Sequence, residues 1–355
     1  MSIVRLAGTV KGSSDPNREI RAQLLYSLFR AGWDIYNSNG DQRITLSNIE
    51  KKIIESDAFV FTPGATLEDL FKAVSVFVGY QTLDPNLANK PTVLLNSDQS
   101  WNRLLNLLTH LNRHGTVRQH HPDYLLVVDE AAEVIDLLEM AKKNGVPVEK
   151  HAPSGTKPRP SFETPLPPDH LANVCVFCSA TTTNPAFLQD GHSLGRKLAE
   201  HHLGCISGAG KSGIMGEVVR GAYEAGGWTG GSNVPHIIEL EGLPEGLSSF
   251  WLRPDIYTRM EVMIEKSDAF IILPGGAGTV QEMLALMIFQ DQGKDLMAGK
   301  PVIVYNPQVE DGRFWDPLIH LLEAASRPVD FTVVEELDDL VPTILGHLPL
   351  PIPAA

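Results

Sequence analysis

The chain carries two copies of one pattern, and this restricts its fold more than any other feature. Ile54-Glu-Ser-Asp-Ala-Phe-Val-Phe-Thr-Pro-Gly64 returns as Ile264-Glu-Lys-Ser-Asp-Ala-Phe-Ile-Ile-Leu-Pro-Gly275. Lys90-Pro-Thr-Val-Leu-Leu-Asn96 returns as Lys300-Pro-Val-Ile-Val-Tyr-Asn306, and Trp101-Asn-Arg-Leu-Leu-Asn-Leu-Leu108 as Trp315-Asp-Pro-Leu-Ile-His-Leu-Leu322. Order and spacing agree across the half, so two related units are expected. Each apolar run lacks in/out alternation, as a strand buried on both faces does. Each ends in Pro-Gly, and a helical pattern follows. Strand, glycine turn and helix in series predict two Rossmann-like α/β domains with parallel sheets flanked by helices. The chain's 355 residues are enough for both cores.

A stretch containing Pro147, Pro153, Pro158, Pro160, Pro165, Pro167 and Pro168 divides the copies and reads as an extended linker. The expected division is residues 1–145, a linker over 146–169, a second domain over 170–347 and a tail over 348–355. The first copy reads Pro63-Gly64-Ala65-Thr66-Leu67-Glu68-Asp69, two residues short of the second. It also lacks a match to Gly208-Ala-Gly-Lys-Ser-Gly-Ile-Met-Gly216. A degenerate copy, kept for packing or regulation, is the expectation.

Charge excludes some functions. The formal net charge of −14 argues against a general electrostatic grip on nucleic acid or an anionic membrane. No apolar stretch reaches membrane-spanning length, and Met1-Ser-Ile-Val-Arg-Leu6 lacks the apolar core of a signal peptide. Three cysteines make no disulfide framework, and a cytoplasmic protein is expected. Cys175-Val-Phe-Cys178 lies within a strand-like run, where residues three apart face opposite ways, so a structural role is expected.

The second copy carries the chemistry. Pro274-Gly-Gly-Ala-Gly-Thr279 stands at a strand-to-helix turn, where free backbone N–H groups favour an anion such as phosphate. Glu282 follows one turn into the helix. The earlier loop, Gly208 to Gly216, contains Gly-Lys-Ser, but Cys205 stands where a Walker loop needs its first glycine. Two helix starts lining one sheet edge is the better reading. His110, His114, His120 and His121 cluster between Thr109 and His121. No acidic ligand stands at a convincing spacing, so a solvated polar loop is expected there and no metal site.

Residues 173–345 resemble the LOG family of cytokinin-activating phosphoribohydrolases, long described as lysine decarboxylases. The resemblance rests on Pro274-Gly-Gly-Ala-Gly-Thr-Val-Gln-Glu282, on Gly208 to Gly216, and on the opening strand Val174-Cys-Val-Phe-Cys-Ser-Ala180. It implies hydrolysis of a nucleoside 5′-monophosphate to free base and ribose 5-phosphate, without metal or nicotinamide cofactor. It also implies a dimer or, in a duplicated chain, an intrachain pseudo-dimer. By resemblance, Glu282 and Arg259 are catalytic. Gly275, Gly276, Gly278 and Thr279 would hold the phosphate, and Gly208, Gly210, Gly213 and Met215 would line the nucleoside side. The family's Met-His-x-Arg-Lys-x-x-Met helix is met as Ile256-Tyr-Thr-Arg-Met-Glu-Val-Met263, with Tyr257 for His and Met260 for Lys. Two bland readings compete. Glu282 could only complement a helix dipole, and Arg259 could be a surface ion-pair member. A non-hydrolytic nucleotide or molybdenum-cofactor carrier on the same scaffold is the alternative function.

Overall fold

A computed structural model describes residues 2–7, 15–37, 46–87, 89–118, 120–146, 154–324 and 330–348. Two parallel sheets lie side by side in sequence, as the repeat predicts. The first half runs β1 (Ile3–Ala7), α1 (Arg18–Arg30), β2 (Asp34–Asn37), α2 (Leu46–Ile54), β3 (Ala58–Phe61), α3 (Leu67–Gln81), β4 (Thr92–Leu95), α4 (Asn102–Arg113), β5 (Leu125–Val128) and α5 (Ala131–Asn144). Its strand order is β2-β1-β3-β4-β5, all parallel.

The second half begins with β6 (Ala172–Phe177), α6 (Pro185–Glu200), β7 (Leu203–Ser207), α7 (Gly213–Glu224), β8 (Thr229–Asn233), α8 (Pro235–Glu241), β9 (Ser249–Leu252) and α9 (Ile256–Glu265). It continues with β10 (Ala269–Ile272), α10 (Ala277–Asp291), β11 (Val302–Tyr305), a hairpin of β12 (Gln308–Val309) and β13 (Gly312–Arg313), α11 (Asp316–Glu323), β14 (Thr332–Val334) and α12 (Leu340–His347). The sheet order is β14-β11-β10-β6-β7-β8-β9. β6, β7, β10, β11 and β14 therefore repeat β1 to β5. The second half inserts α7, β8, α8 and β9, which the described residues of the first half lack. The strands form because their runs are β-branched or aromatic and bury both faces: Ala58–Phe61, Ala269–Ile272 and Val302–Tyr305 are buried throughout.

One expectation is corrected here. The first glycine turn is not shorter than the second. Four residues (273–276) join β10 to α10, and five (62–66) join β3 to α3, while both helices have 15 residues. Thr66 thus takes the place of Gly276 at the helix N-cap, and Lys72, not Asp69, falls opposite Glu282. The apparent gap arose from aligning Thr66 with Thr279, which lies inside the helix.

The halves pack helix on helix, equivalent against equivalent: α3 on α10, α4 on α11, α2 on α9. One apolar cluster runs through this interface and includes Phe71, Val74, Phe77, Met283, Leu284, Met287, Trp101 and Trp315. Gln281 Nε2 donates to Ser75 Oγ across it (2.9 Å), both side chains being buried. A separate cluster under α1 and α5 (Val4, Leu24, Leu28, Val60, Val134, Leu138) closes the far face of the first sheet. Residues 154–169 of the proline-rich segment form no helix and are tied down: Phe162 pairs with Phe250 of edge strand β9 through both backbone bonds (2.9 and 2.8 Å). Pro147, Pro153 and residues 349–355 of the tail lie outside the described residues, as does Ser38 to Ile44 of the first half.

Candidate active site

In the second sheet the strand order reverses between β6 and β10, the position where open α/β sheets bind ligands at their carboxyl ends. The cavity lies there. Ser179, Ala180 and Thr181 after β6 form one wall, and Gly276, Ala277, Gly278, Thr279 and Glu282 after β10 form another. Arg259 and Met260 come from α9, Met215 from α7 and Glu241 from the end of α8. The first half supplies Val78, Gln81, Thr82, Thr116 and Arg118.

The floor is the start of α10. Its N-cap is Gly276, which has no side chain to cap the helix. The first internal bond is Val280 N to Gly276 O (3.1 Å), so the amides of Ala277, Gly278 and Thr279 have no acceptor among the described residues. The matching helix of the first half is closed. Thr66 and Asp69 form a reciprocal capping box, and Ser100 Oγ accepts from Gly64 N (2.9 Å). The Arg21 guanidinium, paired with Asp15 at 2.6 Å, fills the space beside Pro63 and Gly64. One turn keeps its donors open and its copy has spent them internally.

Glu282 is 6% exposed and faces the cavity. Burial pushes its carboxyl up to about 7, against a smaller lowering by the Arg259 charge. Arg259 is held rigidly: Nε donates to Ser232 O (2.9 Å) and Nη2 to Gly208 O (3.0 Å). It is therefore not a surface ion-pair member. A Cβ on Gly208 would stand 1.9 Å from Arg259 Nη2, so only glycine lets the guanidinium pass. Glu241, also raised by burial, takes Arg118 Nη2 on Oε1 at 2.8 Å. Two arginines, one from each half, thus flank the carboxyls of Glu282 and Glu241.

Glu282, Arg259, Gly276, Gly278, Thr279 and Met215 meet at the cavity. Gly275, Gly208, Gly210 and Gly213 do not line it. Gly275 sits under the Thr279 side chain, Gly208 behind Arg259, and Gly210 behind Met215, whose sulfur lies 3.0 Å from Gly210 N. Gly213 opens α7 against Ala180 with φ +62°. These glycines shape the wall from behind. Tyr257 and Met260, in place of the family's His and Lys, are both buried. Lys211 is exposed and outside the lining.

The segment around the histidines is not a solvated loop. Leu104, Leu107, Leu108 and Leu111 give α4 a buried face, and His110 lies with them at 9% exposure. Thr116 and Arg118 just beyond it reach the cavity. Nothing in the sequence marks Arg118, because its partner Glu241 lies in the other half. The Ser179-Ala-Thr-Thr-Thr-Asn184 run did carry a signal. It is a serine- and threonine-rich turn ending in the Asn184 N-cap of α6.

The family model described as "possible lysine decarboxylase" matches residues 31–138 and 215–338, one stretch in each half and more than half of the chain. The chain belongs to this family. Among its curated relatives are cytokinin riboside 5′-monophosphate phosphoribohydrolases. A probable one from Oryza sativa subsp. japonica is 34% identical over 38% of this chain and 58% of its own length. A probable one from Arabidopsis thaliana is 32% identical over 43% of this chain and 73% of its own. One from Rhodococcoides fascians is 30% identical over 43% and 75%. Among solved structures, the molybdenum cofactor binding protein of Rippkaea orientalis aligns with a TM-score of 0.39 at 19% identity, over 49% of this chain and 96% of its own. No helix among the described residues is long and apolar enough to cross a membrane.

Proposed function

We propose that the chain is a nucleoside 5′-monophosphate phosphoribohydrolase, releasing free base and ribose 5-phosphate. The observation that carries this reading is Glu282: a buried carboxyl with its pKa near 7, one turn beyond open helix-start amides and beside a fixed arginine. The amides of Ala277, Gly278 and Thr279 receive the 5′-phosphate at the positive end of α10. The ribose then lies over Glu282. The C1′–N bond breaks with its electron pair leaving on the base nitrogen, and positive charge grows on the sugar. Ionised Glu282 stabilises that charge and orients the water that adds to C1′; the carboxylate takes the proton this water releases, and the departing base nitrogen gains one from solvent. Arg259 contacts the phosphate or the departing base; its fixed charge suits holding an anion and not donating a proton.

In this reading residues 170–347 are the catalytic domain. Residues 1–145 are a companion that has given up its own phosphate turn and supplies one cavity wall. Arg118 brings a cation to the site, where Tyr257 and Met260 have removed one.

The test is a panel of nucleoside monophosphates incubated with the full chain and resolved by chromatography. Base release from at least one is expected, with Glu282→Gln and Arg259→Ala each abolishing it while the fold is kept. Turnover unchanged in either variant overturns the assignment. No release from any nucleotide, together with tight binding of a pterin phosphate, favours the carrier function instead.

A further inference from the structure

His110 and His114 stand one turn apart on α4, their ring centroids 4.4 Å from each other. The β12–β13 hairpin of the second half brings Asp311 to them. His114 Nε2 is 3.0 Å from Asp311 Oδ1, and His110 Nδ1 is 3.9 Å from Asp311 Oδ2. One donor atom from each of the three residues lies within 4.8 Å of the others. His110 Nε2 is 2.9 Å from the Phe314 carbonyl oxygen. A carbonyl only accepts, so the proton belongs on Nε2 and the Nδ1 lone pair faces the cluster. Metal-binding imidazoles are oriented in this way by the partner of their other nitrogen. Arg113 Nη1 donates to Asp311 Oδ2 (2.7 Å), so Oδ1 is shared with His114 alone.

We propose that His110, His114 and Asp311 bind a divalent transition metal of the zinc class, joining the two halves of the chain. Two imidazoles and one carboxylate are a donor set that zinc accepts, with bonds of about 2.0–2.2 Å and a fourth position for water. Such bonds place neighbouring donors roughly 3.3 Å apart in a tetrahedron; His114 and Asp311 stand near that separation, and His110 would move in by a fraction of an ångström to reach it. None of the three residues lines the active-site cavity. His110 and His114 do stand just ahead of Thr116 and Arg118, which line it, so the metal would fix the segment that carries those two residues.

The experiment uses the full chain, stripped with a chelator and titrated calorimetrically with zinc chloride alone. One saturable equivalent is expected, with a rise in melting temperature. His114→Ala and Asp311→Ala should weaken binding by more than about tenfold, while Glu282→Gln binds as the unaltered chain does. Asp311 lies in a hairpin turn with a side-chain exposure of 36%, so its substitution tests the site even where a change in α4 perturbs folding. The proposal fails when the unaltered chain takes up no stoichiometric zinc. It fails equally when Asp311→Ala takes up zinc as before.

Discussion

At the scale of single residues, Glu282 couples the site to pH. Its carboxyl is moved from 4.5 to about 7 by burial. Below pH 4.5 both the folded and unfolded chains hold this proton. Between 4.5 and 7 the folded chain keeps a proton that the unfolded chain has released, so stability falls as pH rises through this window. The full difference is about 3 kcal/mol and is lost above pH 7. Glu282→Gln removes it. Calorimetry should find the variant melting above the parent at pH 8 and converging with it near pH 4.5; a constant offset would refute the linkage. The same ionisation predicts that kcat/KM for base release rises as pH passes about 7. Gly208→Ala tests the arginine. Its Cβ would enter the space of Arg259 Nη2, so base release should fall as far as in Arg259→Ala while circular dichroism shows a folded chain. Retained turnover would show that the guanidinium position is not needed.

At the scale of elements, two helices with a common origin differ in how they begin. α3 starts with a capping box and α10 starts bare. Thr66→Ala should therefore cost about 1 kcal/mol in denaturant unfolding and leave nucleotide turnover intact. The strand, turn and helix of each copy were legible because apolar runs without alternation and Pro-Gly pairs are local signals. The start of α10 was less so: Ala277, Gly278 and Thr279 look like loop residues and lie in the first helical turn, where tertiary packing overrides weak propensity. Glu282 and Arg259 were readable through the resemblance. Gly208 and Gly210 were readable as glycines, but not as supports standing behind other side chains. Arg118, Glu241 and the Asp311 contact to α4 were out of reach, because each depends on how the halves dock and no spacing along the chain encodes that.

At the scale of the whole molecule, α3 on α10, α4 on α11 and α2 on α9 make the pattern of a two-fold interface, like packed on like. Phe71, Phe77, Met283 and Met287 lie fully buried there. A fragment carrying residues 170–355 alone would expose that face. Size-exclusion chromatography should find it self-associated or aggregated while the full chain remains well behaved; a stable monomeric fragment would show that the docked half is dispensable.

The plugged turn beside Arg21 and Asp15 gives this docking a further meaning. An assembly of identical subunits repeats every substitution at each symmetry-related position, so neither side of a shared cleft can change alone. Joining the two sides in one polypeptide lifts that restriction. The wall bearing Thr116 and Arg118 is free to vary with the ligand while the wall bearing Glu282 stays constant. Saturation should accordingly require one ligand per polypeptide and follow a simple hyperbola.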